Sequence, residues 1–215
     1  MRRLSWTLFA AGALFAELPA IPVARDASGA LTTIALFRTP PLYATDAPAK
    51  DEILSVDLRI IDAGGKREIR LAWRDPTRDD AALPAARNAW QSDKPLAQSE
   101  ATNRFFDGCA VMVPARPVAD GVYPSLQMGD ADHPVIIYYF DVVRGASIMA
   151  GNGRGTTHRT GKVFAARAAY QNGGWQVTME LPELPSGTPV ALAVWNGSQQ
   201  DRDGRKYFSI WHRIQ

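Results

Sequence analysis

The chain has 215 residues, 46% of them hydrophobic, and 24 Lys and Arg against 22 Asp and Glu give a formal net charge of +2. That length supports one domain with a substantial core. Charge near balance, with basic residues spread along the chain, leaves no electrostatic footprint for nucleic acid or an anionic membrane surface.

At the N-terminus, Met1-Arg2-Arg3 precedes an apolar run over residues 4–16, interrupted by Ser5, Thr7 and Gly12, and then Glu17-Leu18-Pro19-Ala20. This is the layout of an export leader. The run is shorter than the roughly 20 residues that span a bilayer, so a cleaved leader is expected over residues 1–20 and a single domain over 21–215. Cleavage after Ala16 or after Ala20 puts a leucine where a small residue is preferred. An amphipathic N-terminal helix that stays attached is the alternative.

Period-two alternation then recurs between Gly, Pro, Asp and Asn clusters, and no later segment keeps a helical period. Strands are expected near 31–37, 53–61, 68–73, 105–113, 135–143, 162–170, 175–181, 190–195 and 206–212. The fold class is all-β, an antiparallel sandwich with long covering loops and at most short helices. The pattern lapses over 74–103, where a short helix is expected at 77–83, and again over 145–161. Loops of that length in a compact β-domain cover a site or meet a partner.

Gln127-Met128-Gly129-Asp130 sets a methionine on a Gly/Asp/Pro-rich loop ahead of the strand at 135–143. A thioether there either fills a gap in the core or serves as a soft ligand to a metal centre. In the last strand, alternation puts Lys206, Phe208 and Ile210 on one face and Arg205, Tyr207, Ser209, Trp211 and Arg213 on the other. The first face reads as the inner one. An ammonium there is costly unless it is paired, snorkels outward or loses its proton. The faces Phe106, Gly108, Ala110, Met112 and Ala191, Ala193 carry small residues in mid-strand, which leave room either for a flat group or for close packing.

Cys109 is the sole cysteine, so no internal disulfide forms and neither a c-type attachment nor a cysteine-ligated cluster is available. It reads as a small buried hydrophobe. His133, His158 and His212 lack the spacing of a zinc site. The glycine-rich segment at 151–162 fails as a phosphate loop, because Val163 stands where a Ser or Thr belongs. No Gly-x-Ser-x-Gly elbow occurs, and the carboxylates of Asp79-Asp80 and Asp130/Asp132 lack evident opposite numbers. A carbohydrate-binding module stacking sugars on Trp73, Trp90 or Trp175 is the rival reading.

Four segments in order carry a family resemblance. They are Phe105-Phe106-Asp107-Gly108-Cys109-Ala110-Val111-Met112-Val113-Pro114; Met128-Gly129-Asp130 with Pro134-Val135 and the aromatic strand; Tyr170-Gln171-Asn172-Gly173-Gly174-Trp175-Gln176-Val177; and Ala191 through Trp195-Asn196-Gly197-Ser198 to Asp201-Arg202-Asp203-Gly204-Arg205-Lys206 and Trp211. Together they resemble the haem b (gamma) subunits of ethylbenzene dehydrogenase-type periplasmic molybdenum enzymes, in the dimethyl sulfoxide reductase family. The chain departs from that pattern where Tyr138-Tyr139-Phe140 replaces a more tryptophan-rich run and where Tyr207 follows the lysine.

The resemblance implies a β-sandwich with one non-covalent haem b per chain, held by Met128 and Lys206 as axial iron ligands. His133 and His212 are the alternative donors. It further implies a periplasmic, non-catalytic electron-transfer subunit, whose partners are an iron–sulfur beta subunit, a molybdenum-cofactor alpha subunit and a soluble carrier such as a c-type cytochrome. Lysine ligates iron only as the neutral amine, and deprotonating one of pKa ~10.4 at pH 7 costs about 4.6 kcal/mol, which burial reduces. Methionine on the other side favours ferrous iron and raises the potential.

Overall fold

The computed structural model describes residues 17–24, 26, 28–39, 52–81, 105–119, 121–199, 201 and 204–215. Its strands are β1 (Ala20–Ile21), β2 (Val23–Ala24), β3 (Thr32–Ala35), β4 (Phe37–Arg38), β5 (Ser55–Asp62), β6 (Lys66–Arg74), β7 (Gly108–Pro114), β8 (Val135–Asp141), β9 (Gly145–Gly151), β10 (His158–Arg159), β11 (Ala165–Gln171), β12 (Gly174–Pro182), β13 (Pro189–Trp195), β14 (Tyr207–Phe208) and β15 (His212–Ile214). A single 3-10 turn, Gly197–Gln199, is the helical element among the described residues. No helix among them is long and apolar enough to cross a membrane.

Two sheets form a sandwich. The larger runs β1-β15-β13-β7-β8-β9-β10, with β14 against β13 and β4 against β14, and the smaller runs β11-β12-β6-β5-β2, with β3 against β5. Pairing is antiparallel except where β1 joins β15 and β2 joins β5 in parallel. In β6 and β12 strict alternation turns Ile69, Leu71 and Trp73, and Trp175, Val177, Met179 and Leu181, into the sandwich. They meet Cys109, Val111 and Val113 of β7 and Val190, Leu192 and Val194 of β13 in one core.

The central strands of the larger sheet are buried on both faces. Ala110, Met112, Ala191, Ala193 and Trp195 alternate with the core residues, yet they too are buried, in a second cluster on the outer side. Residues from beyond the central strands cover this face: Tyr123, Leu126 and Met128 from one loop, Leu18, Phe208 of β14 and Trp211 from the C-terminal segment. An antiparallel sheet with one solvated face would alternate with polar residues, so an apolar outer face marks a site that needs a cover.

Three expectations are corrected. The segment 77–81 is not helical, because its amide groups go to carboxylates: Thr77 N–H donates to Asp75 at 3.1 Å and Asp79 N–H to Asp107 at 2.8 Å. Residues 82 and 83 of that expected helix lie outside the described residues. The lapse at 145–161 contains β9, paired to β8 from Val135↔Gly151 to Asp141↔Gly145, and β10, paired to β9. Small residues of weak strand preference hid it.

The last expected strand is two strands. Ser209 accepts the Leu192 N–H on its hydroxyl at 2.9 Å, and that hydroxyl donates to the carbonyl of Ile210 at 2.7 Å. The side chain thus takes a place in the ladder and the alternation slips by one. Ile210 is consequently 45% exposed, whereas Trp211 joins Phe208 on the outer face.

Candidate cofactor site

The outer face of the larger sheet is a set of register rows. Phe208, Ala193, Ala110, Tyr139 and Ser147 form one; Ala191, Met112, Ile137 and Met149 form the next; and Trp195, Gly108, Asp141 and Gly145 form the row beyond. The centre of the face is therefore Ala110, Ala191, Ala193 and Gly108. A Cβ on Gly108 would come within 2.9 Å of the Phe140 carbonyl and 3.5 Å of the Tyr139 hydroxyl. Aromatic rings rise around this floor. Tyr139 meets Trp195 edge to face at 5.3 Å, and burial pushes its phenol well above the usual range.

Met128 borders one end of the face. Its loop is folded by Asp130, whose carboxylate accepts N–H groups from Ser125 (3.2 Å), Asp132 (3.2 Å) and His133 (2.8 Å) and meets His133 Nδ1 at 3.0 Å. Desolvation works to raise the Asp130 pKa, but the hydrogen bonds from Ser125 and His133 outweigh it and hold the carboxyl below the usual range. Asp130 is thus a loop organiser. Met128 itself has φ of 72°, a left-handed conformation that a long side chain adopts at a cost of roughly 1–2 kcal/mol. Its carbonyl accepts the Gly153 N–H at 2.9 Å, and a Cβ on Gly151 would lie 2.9 Å from that oxygen and 3.3 Å from the Met128 Cβ.

Lys206 borders the opposite end. It is 6% exposed, and its Nζ sits 5.5 Å from the centre of the Trp195 ring. Thr39 brackets its backbone: the Lys206 carbonyl accepts both the Thr39 N–H (2.9 Å) and hydroxyl (2.8 Å), and the Thr39 oxygen accepts the Lys206 N–H at 3.3 Å. Next to Thr39, Arg38 bonds Tyr207 (2.5 Å), Gln199 (2.8 Å) and Asp201 (3.0 Å), and so anchors the segment leading into the lysine. Neither Arg38 nor Thr39 carries a recognisable motif; both lie more than 160 positions away in sequence.

The Met128 end adjoins Val135 and Gly151, and the Lys206 end adjoins Trp195 in the row of Asp141. Six steps along β8 at ~3.3 Å each put about 20 Å between these rows. His212 does not share the face. It pairs with Val190, an inner residue, and its Nδ1–H donates to the Ile210 carbonyl at 3.0 Å; burial lowers its pKa, with that contact acting in the other direction. His133 is engaged by Asp130, and His158 is exposed on β10. Cys109 lies on the inner face, fully buried, where desolvation pushes its thiol far up. Trp73 and Trp175 are each 4% exposed and cannot serve as stacking platforms, while Trp90 lies outside the described residues.

Behind the Trp195 end lies a polar network unseen in the sequence pattern. The Asp107 carboxylate accepts the N–H groups of Gly197 (2.9 Å) and Asp79 (2.8 Å) and the Trp175 indole (2.9 Å), so it ties β12 of one sheet to the turn after β13 of the other. Asn196 adds a bond to Asp75 at 3.2 Å. Gly197 has to be glycine, because a Cβ would collide with the Phe105 carbonyl. Asp107, Trp175, Asn196 and Gly197 come from three of the four resemblance segments, and this network is where those segments meet. Burial pushes Asp107 up to about 7 and Asp201 up to about 6.

Fold and site geometry define an all-β sandwich whose larger sheet carries a small-residue outer face between Met128 and the buried Lys206. No family model matches the chain. It is 31% identical over 159 residues to a protein described as the respiratory nitrate reductase haem subunit of Haloferax mediterranei, an alignment covering 68% of this chain and 50% of that one. It is 28% identical over 199 residues to the gamma subunit of dimethylsulfide dehydrogenase of Rhodovulum sulfidophilum (82% and 67% covered). Against the gamma subunit of chlorate reductase of Ideonella dechloratans, identity is 26% over 166 residues (71% and 61%). The chain thus spans half the length of the first of these relatives. The first of these relatives is described as a haem subunit and the other two as gamma subunits of oxidoreductases.

Proposed function

We propose that this chain is the haem b subunit of a periplasmic molybdenum and iron–sulfur oxidoreductase complex, relaying single electrons between the iron–sulfur subunit and a soluble carrier such as a c-type cytochrome. The observation that carries the reading is the placement of Met128 and Lys206 at opposite ends of one small-residue face. The names of two homologous proteins, a haem subunit and a dehydrogenase gamma subunit, support it.

The residues fit the group. Ala110, Ala191, Ala193 and Gly108 leave a flat floor, Tyr139, Trp195, Phe208 and Trp211 supply apolar walls, and the two donors stand at the ends. When bound, haem b supplies a one-electron couple. Met128 offers a neutral soft donor and Lys206 a neutral amine once its proton is released to solvent. Held by both residues, the group would keep no position for substrate, and the chain would act as an electron relay rather than a catalyst. Covering loops and rings shield much of the face from solvent.

The N-terminus bears on export. Pro19 accepts the Arg213 N–H at 2.8 Å, Ala20 and Ile21 pair with β15, and Leu18 packs on the outer face. A leader cut after Ala16 keeps these contacts, while one cut after Ala20 removes most of them.

Rapid mixing of the purified complex with its reducing partner tests the reading. Haem absorbance is expected to change in a one-electron step, and a complex lacking this chain should reduce its iron–sulfur chain but fail to pass electrons to the carrier. Normal transfer to the carrier without this chain would reject the proposal.

A further inference from the structure

Over residues 142–179 the sequence contains no Asp or Glu, yet it carries Arg144, Arg154, Arg159, Lys162 and Arg167. Arg144 pairs with Asp141 at 3.2 Å and Arg167 with Glu68 at 3.8 Å, so neighbouring strands meet those two charges. Arg154, His158, Arg159 and Lys162 are exposed, on the β9–β10 connection and the turn after it, at the edge of the larger sheet. Gly153 and Gly155 have open space where a Cβ would stand, so no bulky side chain keeps a partner away from this edge.

The lobe is joined to the Met128 end of the outer face. Gly153 donates to the Met128 carbonyl at 2.9 Å, Gly151 packs on the Met128 Cβ, and Arg159 pairs across β9 with Met149, which belongs to the outer-face cluster. A charge arriving here is one hydrogen bond from the methionine's backbone.

We infer that this basic lobe docks a soluble one-electron carrier whose own docking face is acidic; the inference rests on the electron-relay reading above. A permanent subunit contact is expected to be apolar at its centre, and the lobe exposes one large apolar side chain, Val163 (73%). The exposed apolar residues Phe37 (52%) and Ile210 (45%) lie instead with the Lys206 segment. A transient electron-transfer contact is small, charged and steered by long-range attraction, which suits the lobe.

The test uses the purified complex with its haem pre-reduced. Oxidation by anionic hexacyanoferrate(III) and by cationic tris(phenanthroline)cobalt(III) is followed by stopped flow. The proteins compared are the parent, Lys162→Glu, and the triple variant Arg154→Glu, Arg159→Glu, Lys162→Glu. At low ionic strength the hexacyanoferrate rate constant is expected to fall about tenfold in the triple variant and less in the single one, with the difference closing at high salt, while the cobalt rate holds or rises. Equal loss towards both oxidants, no loss towards either, or loss of the iron–sulfur chain from the variant complex would overturn the assignment. Failure of the relay reading is distinguishable: the parent would then lack a haem spectrum before any oxidant is added, and the inference would fall with it.

Discussion

The indole N–H of Trp211 donates to the carbonyl of Pro124 at 2.9 Å, and this bond ties the C-terminal segment that carries Lys206 to the loop that carries Met128. Segments that carry two residues distant in sequence are thereby joined over one sheet face by a side chain that is itself 5% exposed. Trp211→Phe keeps most of the ring and removes the donor. It is expected to cost about 1–2 kcal/mol in urea unfolding and to raise the rate of haem transfer to excess apomyoglobin several-fold. An unchanged transfer rate would mean that the tie does not govern the site.

Left-handed backbone at Met128 makes a reversed ranking testable. Alanine ordinarily outranks glycine, but at φ 72° the Cβ penalty applies to alanine alone. In haem-free protein, Met128→Gly should therefore be more stable than Met128→Ala by about 1 kcal/mol. The usual order, alanine above glycine, would show that no strain is stored there.

Gly151 is the second support of the methionine. An added Cβ would come within 2.9 Å of the Met128 carbonyl, so Gly151→Ala has to displace that backbone. The expected result is a loss of about 1–3 kcal/mol in stability and a weaker low-spin signal at equal haem loading. Titration with haem, read by absorbance and by urea unfolding, checks both; retention of full low-spin signal would count against the packing argument.

The buried carboxylates give stability a pH dependence of defined sign. Burial raises Asp107 to about 7, reinforced by the Asp75 charge and opposed by the donors from Gly197, Asp79 and Trp175; burial likewise raises Asp201 to about 6, against Arg38, Asn196 and Arg205. A folded pKa above the unfolded value means that the folded state binds more protons. The contribution is full below pH ~4 and is lost as pH rises through about 6 and about 7. His212 acts oppositely, since burial lowers its pKa and its contribution is lost as pH falls. Comparison with Asp107→Asn isolates the aspartate: parent stability minus variant stability should shrink by on the order of 2–4 kcal/mol between pH 4 and pH 8. A difference that is flat or grows with pH would contradict the sign.

How much of this was legible in the sequence varies element by element. Residues 68–73 and 175–181 announce themselves because one face is buried and the other wet, so alternation survives. Lys206 stood out as a lysine in phase with apolar neighbours, and it is buried. Strand β9, by contrast, reads Gly-Ala-Ser-Ile-Met-Ala-Gly and owes its form to pairing with β8 rather than to its own side chains. Ser209 broke the expected alternation with a side-chain bond that no period can register. The Asp107 network and the Thr39 bracket around Lys206 are long-range hydrogen bonds, which a one-dimensional pattern does not encode.

The central claim is that Met128 and Lys206 are the two axial donors, and the absorption spectrum of protein purified with its native partners tests it most directly. The account predicts a low-spin, six-coordinate haem b spectrum that changes in Met128→Ala and in Lys206→Ala. Acidification should release Lys206 before the fold is lost, because Asp107 and Asp201 favour the folded state in mild acid. A spectrum without haem, or one that both substitutions leave unchanged, would contradict it.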